Sequence, residues 1–335
     1  MSKKKATPAM LKDIDFQRPK YGQSVTLPAP PTKLNLMPCK DFLSDDDMNT
    51  LRNIAPNAAL FSCIDMKEQV HLPQTPFEVL STFENIENVN IIETLKGSLN
   101  SASIKRLAEL TVRQAKCKLW QKHRKGRITG SKMHSVFTLK DSTSRDNIVK
   151  SILGLSPDIK TPAMLYGIKN EEIARKTYIK YQNEFHENFK CELTGLILNE
   201  CYPHLGSSPD GIVNCSCCGK GCLEIKCLAK YENGLPGPFL PDDPESCDEV
   251  HFTIEDASYP VDKNFQLKKT HQYYTQVQGH MLVTEVDYCD LYLWSKSRSI
   301  TIRVCRDDIF IGKLCEKLTK EYLTHVIPKL ITINN

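Results

Sequence analysis

Two carboxylates and a lysine stand close together in one stretch of the chain. Asp210 lies in Gly206-Ser207-Ser208-Pro209-Asp210-Gly211, and Glu224 and Lys226 lie in Leu223-Glu224-Ile225-Lys226-Cys227. The 13 residues between Asp210 and Glu224 are enough for a hairpin that carries the aspartate back beside the glutamate. Leu223 and Ile225 alternate with Glu224 and Lys226, the period of a half-buried strand, so Glu224 and Lys226 share one face. Two hard oxygen donors meeting there suit Mg²⁺ or Mn²⁺. An ion so held lowers the pKa of a bound water and stabilises charge on a phosphoryl oxygen. Lys226 would orient or deprotonate that water, and its charge offsets the repulsion between the carboxylates. Taken alone, Glu-x-Lys is common and reads as an ordinary exposed pair on a strand; Pro-Asp upstream is what favours the catalytic reading.

The elements that must position these groups follow from periodicity. A helix over about 163–187 places Gly167, Glu171, Ala174 and Tyr178 on one face, and a carboxylate among small and aromatic residues there needs a partner. That partner is a metal ion, Lys226 or a nearby basic residue. Cys191 to Leu198 reads as a strand leading into the Asp210 motif. Phe265 to Thr284 reads as a helix with Tyr273, Gln276 and His280 along one face. His271 and His280 are lone histidines of the kind that more often serve packing than ligation. Strands over Asp287–Trp294 and Ile300–Cys305 and a helix over Asp307–Leu330 complete an α/β order, a mixed central sheet flanked by helices. Residues 229–264, with Asp242, Asp243, Glu245, Asp248 and Glu249, read as a long insertion.

The 335 residues, 40% hydrophobic and 25% charged, make an ordinary globular composition with room for one large domain and appendages. No apolar run approaches a membrane-spanning length. A formal charge of +4 decides nothing by itself, but residues 101–135 hold ten Lys or Arg against Glu109 alone. That density, on a helix over about 102–125, suits phosphates as well as a solvated face. Within it, Gly130 and Ser131 resemble a turn and N-cap, and Arg127 beside them could grip a phosphate bidentately. Residues 1–75, with Pro8, Pro19, Pro28, Pro30, Pro31 and Pro38, read as an extended tail. In that tail, Leu34–Met37 and Leu60–Ile64 are short docking patches and Lys3-Lys4-Lys5 is a solvated run or a nuclear address. No apolar core follows those lysines, so the expectation is an intracellular protein with reduced thiols.

Five blocks together resemble the YqaJ-type viral recombinase, or lambda exonuclease, branch of the PD-(D/E)XK nuclease superfamily. They are Arg127-Ile-Thr-Gly-Ser131, Gly167-x-x-x-Glu171-x-x-Ala174, Ser208-Pro-Asp210-Gly, Leu223-Glu224-Ile-Lys226-Cys and Tyr273-x-x-Gln276-Val-Gln278. The resemblance spans about residues 115–295 within a domain of 76–335. It implies a restriction-endonuclease-like core and a Mg²⁺-dependent deoxyribonuclease. Asp210, Glu224 and the Ile225 carbonyl would ligate the metal, with Glu171 supporting it directly or through water. Lys226 would position the attacking water, Gln276 would hold that lysine or the scissile phosphate, and Tyr273 would line the site. Arg127 and Ser131 would bind the DNA phosphate. The products would carry a 5′-phosphate and a 3′-hydroxyl. The lambda branch further implies 5′ to 3′ digestion from duplex ends, a ring-shaped trimer and a single-strand annealing partner in DNA recombination or repair. An endonuclease of the same superfamily, or a module that binds DNA without turnover, are the competing readings.

One stretch departs from that family: Cys215-Ser-Cys217-Cys218-Gly-Lys-Gly-Cys222 between the two carboxylates. Cys215, Cys217, Cys218 and Cys222 have spacings that fit a structural Zn²⁺. Since adjacent Cys217 and Cys218 chelate one ion awkwardly, Cys201, His204, Cys247 or His251 is a candidate fourth ligand. The alternative is a turn of reduced cysteines.

Overall fold

The computed structural model describes residue 50 and residues 53–55, 71–83, 90–157, 159–236 and 256–334. The expectations for the proline-rich tail, its lysines and its docking patches, and for the acids, Cys247 and His251 of the insertion, lie outside the described residues. The chain divides into units of residues 1–68 and 69–335, and the second unit holds both sheets and the helices that flank them.

Helices α1 (Pro76–Leu80), α2 (Ile91–Gly97), α3 (Ser101–Leu110) and α4 (Lys118–Arg124) come first in that unit. Thr75 and Glu78 cap α1 reciprocally, while Asn90 and Asn100 cap α2 and α3. The single helix expected over 102–125 is thus two helices. Between them Gln114 takes a left-handed φ of 42°. Its side-chain amide holds that bend by donating to the carbonyls of Thr194 and Pro209, at 3.0 and 3.1 Å.

Strand β1 (Ile128–Thr129) runs into α5 (Gly130–Phe137), followed by α6 (Asp146–Ile152) and the long α7 (Pro162–Phe185). Thr161 caps α7, with Pro162 at its first position. Five strands follow: β2 (Lys190–Glu192), β3 (Ile197–Leu198), β4 (Leu205–Ser207), β5 (Gly211–Cys215) and β6 (Gly219–Cys227). The one strand expected over 191–198 is divided between β2 and β3, which pair in different sheets. At the break, the Leu196 N–H donates to Thr111 Oγ1 at 2.8 Å, which ties the chain to the end of α3.

Helix α8 (Gln272–Thr284), β7 (Tyr288–Trp294), β8 (Ser299–Cys305), α9 (Asp308–Glu321) and α10 (Ile327–Asn334) complete the chain. The helix expected from Phe265 begins only at Gln272. The Asp262 carboxylate accepts the N–H groups of Asn264 and Gln266, a local turn that competes with helix. A π-helical turn, Tyr322–Val326, joins α9 to α10. Pro328 just beyond it offers no N–H to the preceding turn.

The main sheet has the order β2-β5-β6-β7-β8, with β6 and β7 parallel and the other neighbours antiparallel. A smaller sheet has the order β1-β4-β3. Central β7 is buried along its whole length, because α7 covers one face of the sheet and α8 the other. Leu223, Ile225 and Tyr292 pack with Ala174 and Tyr178 of α7, while Cys222, Leu291 and Leu293 pack with Val277 and Met281 of α8. Asp290 on β7 is fully buried. Two bonds from Arg303, at 2.8 and 3.0 Å, and the Tyr178 hydroxyl at 2.8 Å satisfy it. Among the described residues, no helix is long and apolar enough to cross a membrane.

A third core joins α5, α6, α9 and α10, and beside it lies a buried cation with two buried histidines. Burial, reinforced by the Arg127 charge, lowers His204 to about 3, and burial with Arg127 and Lys122 lowers His123 to about 4. As pH falls through about 6.5 the unfolded chain takes up protons that these folded-state imidazoles refuse. Stability is therefore lost from about pH 6.5 downward, by up to about 1.4 kcal/mol per pH unit for each group. The urea midpoint is expected to fall between about pH 7 and about pH 5, and His204→Gln is expected to flatten that fall. A wild-type midpoint unchanged across that window would contradict the assignment.

Candidate active site

Gly211 pairs opposite Leu223 in the β5–β6 hairpin, so Asp210, one residue before β5, arrives beside Glu224 and Ile225. The Asp210 N–H donates to the Leu223 carbonyl at 2.9 Å, and the Ile225 N–H donates to Asp210 Oδ2 at 2.7 Å. Past Gly211 no strand among the described residues pairs with that edge of β6, and the aspartate side chain takes that place. The N–H and C=O of one strand residue point the same way, so the Ile225 carbonyl faces the side from which Asp210 approaches.

Leu223 and Ile225 face α7, so Glu224 and Lys226 face α8. Glu224 is only 4% exposed, and three side chains hold its carboxylate. Lys226 Nζ and Gln276 Nε2 each donate to Oε1 at 2.6 Å, and His280 Nε2 lies 2.9 Å from Oε2. The other ring nitrogen of His280 lies 2.6 Å from Ser207 Oγ. The imidazole is thus held between the Glu224 carboxylate at one nitrogen and the serine hydroxyl at the other. Gly130 makes this approach possible, because a Cβ there would lie 2.8 Å from His280 Cε1. The Lys226 ammonium also lies 5.0 Å from the centre of the Tyr273 ring.

From the opposite face, Arg175 on α7 reaches Glu171 Oε1 at 2.5 Å, Glu172 Oε2 at 2.7 Å and the Asp210 carbonyl at 3.3 Å. Arg175 is 9% exposed, so this helix is fixed to the backbone of Asp210 through a buried guanidinium. On the N-terminal side, Trp120 Nε1 donates to Ser208 Oγ at 2.9 Å, and Arg124 stacks on that indole at 3.9 Å. Basic α4 therefore borders the Ser208-Pro209-Asp210 loop.

The electrostatics show a surplus of negative charge. Burial raises Asp210 above its ordinary value, and the neighbouring Glu224 and Glu171 charges raise it further. Burial alone would raise Glu224 too, but the charges and hydrogen bonds of Lys226 and His280 outweigh it and hold the carboxyl at about 2. Burial would lower Lys226, yet Glu224, Asp210 and Tyr273 push it above its ordinary value. Lys226 is thus an ammonium at neutral pH, a donor rather than a base. Among the described residues, hydrogen bonds reach only Oδ2 of Asp210. The second oxygen is left to a ligand, on the side that the Ile225 carbonyl also faces and near the Glu224 and Glu171 charges, and hard oxygen donors of this kind suit a divalent cation.

Asp210, Glu224, Ile225, Lys226, Glu171, Gln276 and Tyr273 thus come together around one edge of the sheet. Gln276, expected against Lys226 or a phosphate, holds Glu224 instead. Arg127 does not join them. It is fully buried and donates to the carbonyls of Pro203, His123 and Gln74 at 3.0, 2.8 and 2.9 Å, which corrects the expectation of a phosphate ligand. Ser131 is exposed, but Thr129, not Ser131, occupies the N-cap of α5. Cys222 is buried inside β6 with its thiol 3.8 Å from the Tyr288 carbonyl, apart from Cys215, Cys217 and Cys218. His280 and Arg175 emerged only with the fold. Their i+4 spacings from Gln276 and Glu171 are the signals in the sequence that mark them.

The fold is thus a mixed α/β one, a mixed sheet with helices on both faces and acidic residues on its β5–β6 hairpin and one flanking helix. The profile of the YqaJ-like viral recombinase domain matches residues 119–287, and the chain belongs to that family. Several solved structures are similar. The alkaline exonuclease LHK-Exo from Laribacter hongkongensis is 21% identical, over 64% of this chain and 94% of that one, with a TM-score of 0.44. The SOX protein in a SOX–DNA complex is 12% identical, over 86% and 83%, with a TM-score of 0.47. A phage-related exonuclease from Haemophilus somnus 129PT is 14% identical, over 61% and 96%, with a TM-score of 0.37. Among curated proteins no relative matches.

Proposed function

We propose that the chain is a Mg²⁺-dependent exonuclease that degrades DNA from duplex ends, 5′ to 3′, leaving 5′-phosphates. The observation that carries this reading is the convergence of Asp210 and Glu224 at the mouth of the β5–β6 hairpin, with Lys226 on Glu224 at 2.6 Å. Family membership supports the same reading. Asp210, Glu224, the Ile225 carbonyl and Glu171 would hold Mg²⁺ or Mn²⁺, which when bound activates water and offsets charge on the phosphate. Lys226, kept cationic by the carboxylates, orients the attacking water and offsets charge on the phosphoryl oxygens. Gln276 and His280 keep the Glu224 carboxylate in one orientation, and Ser207 does the same for the His280 ring. Arg175 holds Glu171 toward Asp210 from the helix side. Tyr273 packs at the Lys226 ammonium and closes that wall. As water adds to phosphorus, the P–O3′ bond breaks and the leaving oxygen takes up a proton to become a 3′-hydroxyl.

The test uses linear duplexes labelled at either the 5′ or the 3′ end, alongside covalently closed circles, with Mg²⁺ and with chelator. The expected result is release of 5′-labelled mononucleotide from linear DNA, abolished by chelator, with closed circles spared. Cutting of closed circles would replace this reading with an endonuclease. Binding without cleavage of either substrate would replace it with a non-catalytic module.

A further inference from the structure

The far end of the same hairpin carries a second group of ligating atoms, and it does not depend on the nuclease reading. Cys215 ends β5, Cys217 and Cys218 lie in the turn, and His186 is the residue that caps the end of α7. His186 Nδ1 lies 3.1 Å from Cys217 Sγ, 3.5 Å from Cys218 Sγ and 3.6 Å from Cys215 Sγ. Cys217 Sγ lies 3.4 Å from Cys215 Sγ and 3.8 Å from Cys218 Sγ. All four ligating atoms fall within 4.8 Å of one another.

These spacings identify the ligand. Tetrahedral zinc with Zn–S of about 2.3 Å and Zn–N of about 2.0–2.1 Å requires S···S edges of about 3.8 Å and S···N edges of about 3.6 Å. Five of the six edges, from 3.1 to 3.8 Å, lie at or inside those values, and the sixth, between Cys215 and Cys218, is within 4.8 Å. They are far longer than a disulfide bond of about 2.05 Å, and these cysteines are free thiols. An iron–sulfur cluster interposes several metal atoms and holds its cysteines farther apart. We infer that Cys215, Cys217, Cys218 and His186 bind a single Zn²⁺ ion.

The surroundings are built for thiolates. The Cys218 N–H donates to Cys215 Sγ at 3.3 Å, and Arg303 NH1 donates to Cys218 Sγ at 3.1 Å. Three thiolates and one Zn²⁺ leave a net charge of about −1, which the guanidinium of Arg303 faces. Asp290 and the Tyr288 ring, 4.1 Å from the guanidinium carbon, hold that guanidinium in place. Gly219 closes the turn with φ of 72°, a conformation that a side chain would strain. The Ser216 N–H donates to the Glu187 carbonyl at 2.9 Å, and Asn188 Nδ2 donates to Ser216 Oγ at 3.0 Å. The turn is thereby registered against the segment that supplies His186.

Four protein ligands close the site, so its role is structural. The ion joins the end of α7, which carries Glu171 and Arg175, to the hairpin whose other end carries Asp210 and Glu224. Of the other fourth ligands considered from the sequence, His204 is buried with Nε2 on Thr319 at 3.1 Å, and neither it nor Cys201 belongs to the cluster.

The test starts from full-length protein purified under reducing conditions without chelator. Metal analysis is expected to give about one zinc per chain, falling below about 0.3 equivalents in Cys217→Ser and His186→Ala and staying near one in Cys201→Ser and Cys222→Ala. Where a ligand variant fails to fold, Co²⁺ exchanged into the wild type decides, through the visible ligand-field and thiolate charge-transfer bands of a tetrahedral sulfur site. Zinc below about 0.3 equivalents together with no such cobalt spectrum overturns the proposal. So does iron with acid-labile sulfide, or full zinc retained in folded Cys217→Ser and His186→Ala.

Discussion

Replacing Lys226 by alanine is expected to lower the single-turnover rate of DNA cleavage by about 10²–10³-fold, or about 3–4 kcal/mol of transition-state stabilisation. The magnitude comes from where the ammonium sits. It is largely withdrawn from water, paired with Glu224 Oε1 at 2.6 Å, and kept charged by Glu224 and Asp210. A preorganised cation of this kind costs no reorganisation when charge builds on the phosphate, so its loss falls on the chemical step. DNA affinity measured without metal is expected to change by less than about threefold, because phosphate binding spreads over many cations. Glu224→Ala is expected to act in the same direction. If Lys226→Ala cleaves within about tenfold of the parent, the assignment of this lysine fails.

Local pattern in the sequence is enough to make part of this arrangement legible. Strand period puts Glu224 and Lys226 on one face, and the interval back to Asp210 implies a hairpin, which β5 and β6 form. Helix period puts Glu171, Ala174 and Tyr178 on one face of α7, with Ala174 and Tyr178 buried. What local pattern does not carry is the identity of a partner distant in the chain. His280 looks like a core histidine until α8 lies over β6 and its ring meets Glu224, 56 residues away. His186 stands 29 residues before Cys215 and belongs to no ligand spacing, because its place depends on where α7 ends against the hairpin turn. The division of 191–198 and the break at Gln114 have the same origin. Each is set by hydrogen bonds to remote carbonyls or hydroxyls that compete with a continuing strand or helix.

Arg127 tests that distinction most directly, since the sequence and the structure assign it opposite fates. As a phosphate ligand, its loss would weaken DNA binding, reduce the salt slope by about one, and leave stability unchanged. As the structure places it, Arg127→Met is expected to cost about 3–5 kcal/mol of unfolding free energy. Three carbonyls, those of His123 and Pro203 in buried bonds and that of Gln74 in a partly buried one, lose their donor together. Arg127→Lys is expected to recover only part of that loss, because one ammonium on a flexible stem cannot match a planar fork bonded to three separate carbonyls. Urea unfolding of the three proteins, with metal-free DNA affinity measured on the folded fraction, separates the two fates. A drop of about 3 kcal/mol or more with an unchanged salt slope supports the buried anchor. Unchanged stability with a reduced slope would return Arg127 to the DNA and show that its burial has been misassigned.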